Sequence, residues 1–386
     1  MSLLSTFSAL SSRALSTPTA PIQYKLSQLL QNPEPTIDDE FGLSVDISND
    51  GTYIIVGAPF DDEFGSSSGA AYIFINSDGT WVLQQKLTSV GATSGQTFGY
   101  SVAINGAGDY AIIGAPSNGN VPGSVYIFTR SGTVWTQQAQ LSTIGFPRNQ
   151  GWEVAINDAG DRIAYSSISD EQVYSFSRSG TTWTELDTIV NPLGTDNDFG
   201  YDISMDSSGD YLLICSVFPD GGIYVYYRTG GAWTLQQQLT DYTGRIISGA
   251  INKNATKLII GNGSEGAPSK RAFIYTRTGS TWTLEQTILP NINDISGYDV
   301  AIAGSVNILS IASAILGTTP SDAITYIYGL GSSWIPQQTL NPAPISQEDY
   351  TQDAAFTDDG SIFITGSPRY DTPLTNAGGV YIYTQA

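Results

Sequence analysis

The side chains best placed for chemistry in this chain are carboxylates. They cluster at Asp38-Asp39-Glu40, at Asp61-Asp62-Glu63, at Asp196 and Asp198, at Glu348-Asp349 and at Asp371. The string Asp-Asp-Glu-Phe-Gly occurs twice, at 38–42 and 61–65. Two acidic triplets side by side would suit a cation or a basic partner, and would equally serve as solvated loop acids. Acid–base catalysis depends on the separation of two carboxylates, which sequence position does not set, so no catalytic residue is nominated. Histidine is absent and Cys215 is the only cysteine. That removes His-based triads, His metal sites and any internal disulfide. Cys215 ends the apolar run 211–215, where a buried, inert thiol is expected.

A second set of polar residues recurs. Arg130, Arg178, Arg228 and Arg277 each precede a Trp by five residues. That spacing across a hairpin turn suits cross-strand cation–π contact. Trp faces also bind sugars, but repetition at one fixed position favours a packing role. Asn254-Ala255-Thr256 and Asn262-Gly263-Ser264 are glycosylation sequons, which matter only in a secreted eukaryotic chain.

Composition narrows the partners. The chain of 386 residues carries a formal charge of −21, which disfavours nucleic acid and anionic membrane surfaces. No apolar run approaches the roughly 20 residues of a membrane span. With 41 glycines and 22 tyrosines but only 13% charged residues, the composition is globular and turn-rich.

The elements that position these groups are repeated hairpins. Residues 69–87 hold an aromatic-x-aromatic strand (Tyr72, Phe74), a Ser-Asp-Gly turn, and a strand running from Trp81 to Leu87. The aromatic pair recurs at Tyr126/Phe128, Tyr174/Phe176, Tyr224/Tyr226, Phe273/Tyr275, Tyr326/Tyr328 and Tyr381/Tyr383. The first six pairs are followed by Trp81, Trp135, Trp183, Trp233, Trp282 and Trp334. Between them lies a second hairpin whose first strand alternates, as in Val45/Ile47, Val102/Ile104 and Val154/Ile156. Its copies in the fifth and seventh units, Gly249/Ile251 and Ala354/Phe356, are degraded.

Four short strands in about fifty residues, repeated seven times, predict an all-β, seven-bladed β-propeller of four-stranded antiparallel blades. The last unit lacks its fourth strand. Tyr24–Leu30 matches Trp81–Leu87, so an N-terminal strand is expected to complete the last blade and leave no open edge. The propeller is assigned to 22–386 and a separate arm to 1–21. In the arm, Leu3, Leu4, Phe7, Leu10, Ala14 and Leu15 share one face at helical spacing. Arg13 sits mid-segment and serines interrupt the apolar run, so a cleaved secretory signal is not expected. Beginning at Met1, the arm is expected to be retained, ordered and docked on something.

Phe41-Gly42 with Gly57-Ala58-Pro59, and Phe98-Gly99 with Gly114-Ala115-Pro116, resemble FG-GAP repeats, the family that includes the integrin α-subunit head. Weaker copies are Phe199-Gly200 and Gly366-Ser367-Pro368, with Gly151-Trp152 and Gly297-Tyr298 in two further units. The resemblance covers 22–386 and implies the propeller fold and a tendency toward adhesion. Calcium-binding FG-GAP repeats carry an Asp-rich loop between the first two strands. Here only a tight turn fits, and Asp46, Asn49 and Asp50 lack the length and spacing that calcium's six to eight oxygens require. No cofactor or metal is therefore assigned, and calcium is the one ion the resemblance raises.

The expected function is a non-enzymatic structural and adhesive propeller in a larger assembly, such as a virion or phage particle. It would join other proteins of that assembly through 1–21, with Leu3, Leu4, Phe7 and Leu10 as contacts. Asp38, Asp39, Glu40, Asp61, Asp62 and Glu63 are the candidate contacts on the loop face. Localisation is then the virion or an extracellular surface. The alternative is a secreted or cell-surface lectin or receptor-binding propeller that uses the acidic loops on a glycan or host protein. An enzyme built on loop carboxylates, such as a glycoside hydrolase, is the third reading.

Overall fold

The computed structural model of the chain describes residues 21–117, 122–142, 149–195, 197–217, 221–242, 245–262, 271–289, 294–315, 323–341, 353–370 and 374–386. Its strands form seven four-stranded antiparallel sheets, each a blade of one ring. The first blade comprises Val45–Ile47, Tyr53–Ala58, Ala70–Ser77 and Thr80–Leu87, ordered from the innermost strand to the outermost. The seventh has Ala354–Phe356, Ile362–Ser367 and Gly379–Gln385, and its outermost strand is Tyr24–Gln31. Tyr24 pairs with Gln385 and Leu30 with Val380, so the first described strand closes the last blade as the repeat spacing predicts.

Period-2 alternation divides the core into slabs. In the second strand of the first blade, Ile54 and Val56 pack against the seventh blade, whereas Tyr53 and Ile55 pack against the second. The buried apolar residues sort into seven such clusters, each drawn from two neighbouring blades. A blade therefore buries both faces only when it has a neighbour on each side.

The Phe-Gly and Gly-Ala-Pro segments form one contact. The Gly42 N–H donates to the Gly57 carbonyl at 2.9 Å within the first blade. Gly57 then lies so close to the second blade that an added Cβ would overlap the Gly99 carbonyl. Gly114 meets Gly151, and Gly366 meets Gly42, in the same way. Gly42 and Gly99 have φ of +94° and +92°, which a residue with a Cβ rarely adopts. The fourth blade has Cys215 at the position of Gly57, and the facing residue is Gly249, where an added Cβ would meet the thiol sulfur. The degraded fifth unit is thus the small partner that a larger neighbour needs. Burial pushes the Cys215 thiol well above its usual range, as expected of an inert thiol.

The outer rim carries a second repeated device. The outermost strand of every blade has a β-bulge in the same place, for example at Gln84 between Leu83 and Gln85. The next residue reaches the following blade. Gln85 Nε2 donates to the Trp135 carbonyl at 2.9 Å, and the Trp135 N–H donates to Gln85 Oε1 at 2.8 Å. The same two-bond clasp joins Gln28 to Trp81, Gln237 to Trp282, Gln286 to Trp334 and Gln338 to Tyr24. Tyr24 thus occupies the Trp place both in register and in its clasp. Asp187 can only accept and holds the Trp233 N–H alone, at 3.0 Å. Ala139 stands at this position in the second blade and offers no clasp to Trp183.

Candidate functional site

The two acidic triplets lie on the face where the blade-to-blade loops emerge, and much of each is turned inward. Asp39 is 0% exposed and accepts from Asn32 Nδ2 at 2.8 Å, from the Thr36 N–H at 2.6 Å and from the Thr36 hydroxyl. Burial raises its pKa, the Thr36 bonds oppose the rise, and nearby Asp61 and Asp62 add to it. Asp61 is 4% exposed, accepts from the Tyr72 hydroxyl at 3.0 Å, and lies 3.0 Å from Lys86 Nζ. Lys86 also reaches Glu34 at 3.0 Å and Glu63 at 2.8 Å; burial lowers its pKa, and the bonds to its acidic partners outweigh that and raise it. Asp62 accepts from the Ser67 N–H at 2.7 Å. Glu40 is raised by burial and faces Arg369 at 3.9 Å.

Of the six loop acids nominated from sequence, Asp39 and Asp61 are buried and fasten their own loops. Asp38 is exposed, but its Oδ1 takes the Asn376 side-chain N–H at 2.8 Å. These bonds draw loops of the seventh and first blades together, and the Asp38 N–H adds one to the Thr375 carbonyl at 3.0 Å. The surface left over is partly apolar, with Ile37, Phe64, Val90 and Leu374 exposed. Asp198 lines a cleft of about 590 Å³ beside Asp170, Glu171 and Asn191. Asp196, Glu348, Asp349, Asp371 and the arm contacts Leu3, Leu4, Phe7 and Leu10 lie outside the described residues.

The Arg–Trp pairs sit in register as the spacing predicts: Arg130 opposite Trp135, Arg178 opposite Trp183, Arg228 opposite Trp233 and Arg277 opposite Trp282. A closer partner, however, comes from the preceding blade. Arg130 lies 4.4 Å from the Tyr53 ring centre and 6.0 Å from Trp135. Arg178 over Tyr110 and Arg277 over Tyr211 repeat the geometry, at 4.2 and 4.5 Å. The third blade has Arg162 in place of that Tyr, and Arg228 pairs instead with Asp210 at 2.7 Å. The three Arg–Tyr contacts join neighbouring blades, which makes the belt a packing feature.

A second acidic group, not singled out by motif, lines the central channel. One residue per blade stands just ahead of the alternating apolar pair, Ser44, Ser101, Glu153, Asp202, Ser248, Asp299 and Asp353, and the last five line the channel. Asp46 lies two residues further along the first blade. Neighbours link around the ring. The Val45 N–H and the Ser44 hydroxyl donate to Asp353 Oδ2 at 2.8 and 2.9 Å. The Val102 N–H donates to Ser44 Oγ, and the Val154 N–H to Ser101 Oγ. The Gly249 N–H donates to Asp202 Oδ2, the Val300 N–H to Ser248 Oγ, and the Ile104 N–H to Asp46 Oδ2. Asp46 thus belongs to the channel, whereas Asp50 caps the tight turn at 48–52 by accepting from the Thr52 N–H at 3.0 Å.

The channel carboxylates are half-buried, open to the channel yet far from bulk water. Burial pushes Asp46 and Asp202 up to about 7 and Asp353 up to about 6, against the hydrogen bonds that lower them. Glu153 and Asp299 are raised by burial and then by their acidic neighbours. At one mouth, turns from the first, third, fifth and seventh blades are linked. There Lys253 Nζ lies 3.7 Å from Asp158 and 3.6 Å from Asp358, and Asn49 Nδ2 donates to Asp158 at 2.9 Å. Among the described residues, no three His, Cys, Asp or Glu side chains converge tightly enough to chelate a bare metal ion.

Comparison with known families agrees with this architecture. The FG-GAP repeat model matches residues 34–74 and 81–128, which cover the first blade and most of the second. No curated protein matches the chain. The matched stretches contain the two closest Phe-Gly and Gly-Ala-Pro pairs, and the same glycine contact recurs where the seventh blade meets the first. The chain is a seven-bladed β-propeller whose first two blades match the FG-GAP repeat.

Proposed function

We propose that this propeller is a non-enzymatic interaction module, a structural and adhesive component of a larger assembly such as a virion or phage particle, attached through residues 1–21. The observation that carries the reading is the loop face of the seventh, first and second blades. Its buried carboxylates are spent on holding loops, and it presents Ile37, Phe64, Val90 and Leu374 to solvent. The Gly95 N–H ties the Val90 loop to the Phe64 loop at 2.8 Å, so these side chains share one hydrogen-bonded surface. Exposed apolar residues rimmed by polar groups suit a protein partner.

Two variants separate attachment from adhesion. Deleting 1–20 leaves a folded propeller that no longer joins its assembly; unchanged incorporation would sink the arm's role. Phe64→Ser with Ile37→Ser leaves incorporation intact and abolishes partner capture; unchanged capture would place adhesion elsewhere. A glycan array with and without calcium tests the lectin alternative, and binding that Glu63→Gln abolishes would favour it over the apolar surface.

A further inference from the structure

The strand Tyr24–Gln31 enters the ring at one face and leaves it at the other. Its start is pinned. Ile22 packs against the apolar cluster shared by the sixth and seventh blades, and the Ala386 N–H donates to the Gln23 carbonyl at 2.8 Å. The Tyr24 hydroxyl donates to the Gly360 carbonyl, in the turn that joins the two innermost strands of the seventh blade. That turn lies opposite the loop face, so the chain ahead of residue 21 departs from the turn face, whereas Gln31 delivers the chain to Ile37 on the loop face. The eight residues of Tyr24–Gln31 rise about 26 Å, at roughly 3.3 Å per residue. The apolar stripe of the arm ends at Leu15, and residues 16–21, which tether it, span about 20 Å even when fully extended. The stripe as a whole therefore cannot lie across the loop face of its own propeller. It nevertheless matches that face. Leu3, Leu4, Phe7 and Leu10 supply apolar side chains to cover the exposed Ile37, Phe64, Val90 and Leu374. Arg13 is the sole charged residue of 1–20, while Asp38, Asp62 and Glu63 are exposed beside Ile37 and Phe64.

We infer that the arm of one copy docks on the loop face of a second copy, so that propellers join head to tail. The inference rests on the proposed roles of the arm in attachment and of the loop face in capture, and makes each the other's partner. The two surfaces are unlike, so the contact is heterologous, and a joined pair keeps one free arm and one free loop face for the next copies. A copy with an altered loop face still enters through its own arm but captures no successor.

Sedimentation velocity tests this with three proteins. The full chain is expected to form species that grow with concentration. Deletion of 1–20, and Phe64→Ser with Ile37→Ser, are each expected to leave a monomer that melts as the parent does. Mixed, the two variants are expected to form a 1:1 dimer that grows no further, because the deletion supplies only a loop face and the double variant only an arm. A monomeric full chain, assembly by either variant alone, or a mixture that stays monomeric overturns the inference. Should the double variant fold poorly, Val90→Asp takes its place in the same mixture. A monomeric full chain whose loop face still captures a different protein would remove the self-contact and leave the adhesive reading standing.

Discussion

The outer rim and the central channel are built from the same seven blades and treat the repeat in opposite ways. At the rim, a buried aromatic, a bulge and a Gln recur almost unchanged, and the contact they make is nearly the same at each junction. At the channel, one ring position is occupied by three serines, three aspartates and a glutamate. Both regions link neighbouring blades by side chain-to-backbone hydrogen bonds. The rim does so with neutral amides that donate and accept together. The channel does so with acceptors whose charge is only partly satisfied. The difference separates tasks: uniform contacts close the ring, and variable ones are where a ligand or a titration can act.

The rim's exceptions test that division most strongly. Trp282 is 2% exposed and fully clasped by Gln237, and its Nε1 donates to Gln236 at 3.0 Å. Trp183 is half-buried and has no clasp. Trp282→Ala is expected to cost about 3–5 kcal/mol, the usual loss for a buried aromatic, and Trp183→Ala less than the lower end of that range. Chemical denaturation checks both. Equal losses would mean that the two indoles are packed equally well, whatever their burial.

The channel should show itself through pH. Its carboxylates hold protons more tightly in the folded chain than in the unfolded one, where they titrate near 4. The native state therefore binds more protons over that interval, and stability falls as pH rises. The decline should run from roughly pH 4, the unfolded value, to about 7, the value for Asp46 and Asp202. Asp202→Asn should flatten it, whereas Gln237→Ala should lower stability by a similar amount at every pH. A thermal melt series across this interval that shows the same slope in both variants would remove the channel as its source.

The smallest effects come from completing the rim. Trp233 Nε1 is buried without a partner among the described residues, because the third blade has Leu186 at the bulge where the first has Gln84. Trp334 Nε1 is likewise unpartnered, since the corresponding Glu285 pairs with Lys257. Ala139→Gln and Leu186→Gln should each stabilise the chain by about 0.5–1.5 kcal/mol, the net worth of a typical hydrogen bond. A loss of stability in both would show that these junctions are packed differently from the rest.

Much of the ring was legible in the residues. The aromatic-x-aromatic pairs, the Trp six or seven positions on, and Tyr24–Leu30 as the displaced strand follow from strand periodicity and turn chemistry, which are local. The Arg–Trp register was legible for the same reason. What was hidden depends on contacts between units about fifty residues apart. Arg130 lies nearer Tyr53 than its own Trp because the blades face each other, and nothing within one hairpin says so. Asp39 and Asp61 look like solvated loop acids until Asn32, Tyr72 and Lys86 close over them. The channel acids escaped notice because each is a single polar residue beside an alternating strand. A signal did exist: the position just ahead of that strand is Ser, Asp or Glu in every unit.

The central claim is that the chain is a closed ring, with Tyr24–Gln31 locked into the last blade by the contacts used at other junctions. Native-state hydrogen exchange tests it directly. The amides of Tyr24–Gln31 should be protected as strongly as those of Thr80–Leu87, and Gln338→Ala should weaken protection in Tyr24–Gln31 first. Rapid exchange in Tyr24–Gln31, with the other outermost strands protected, would contradict the account.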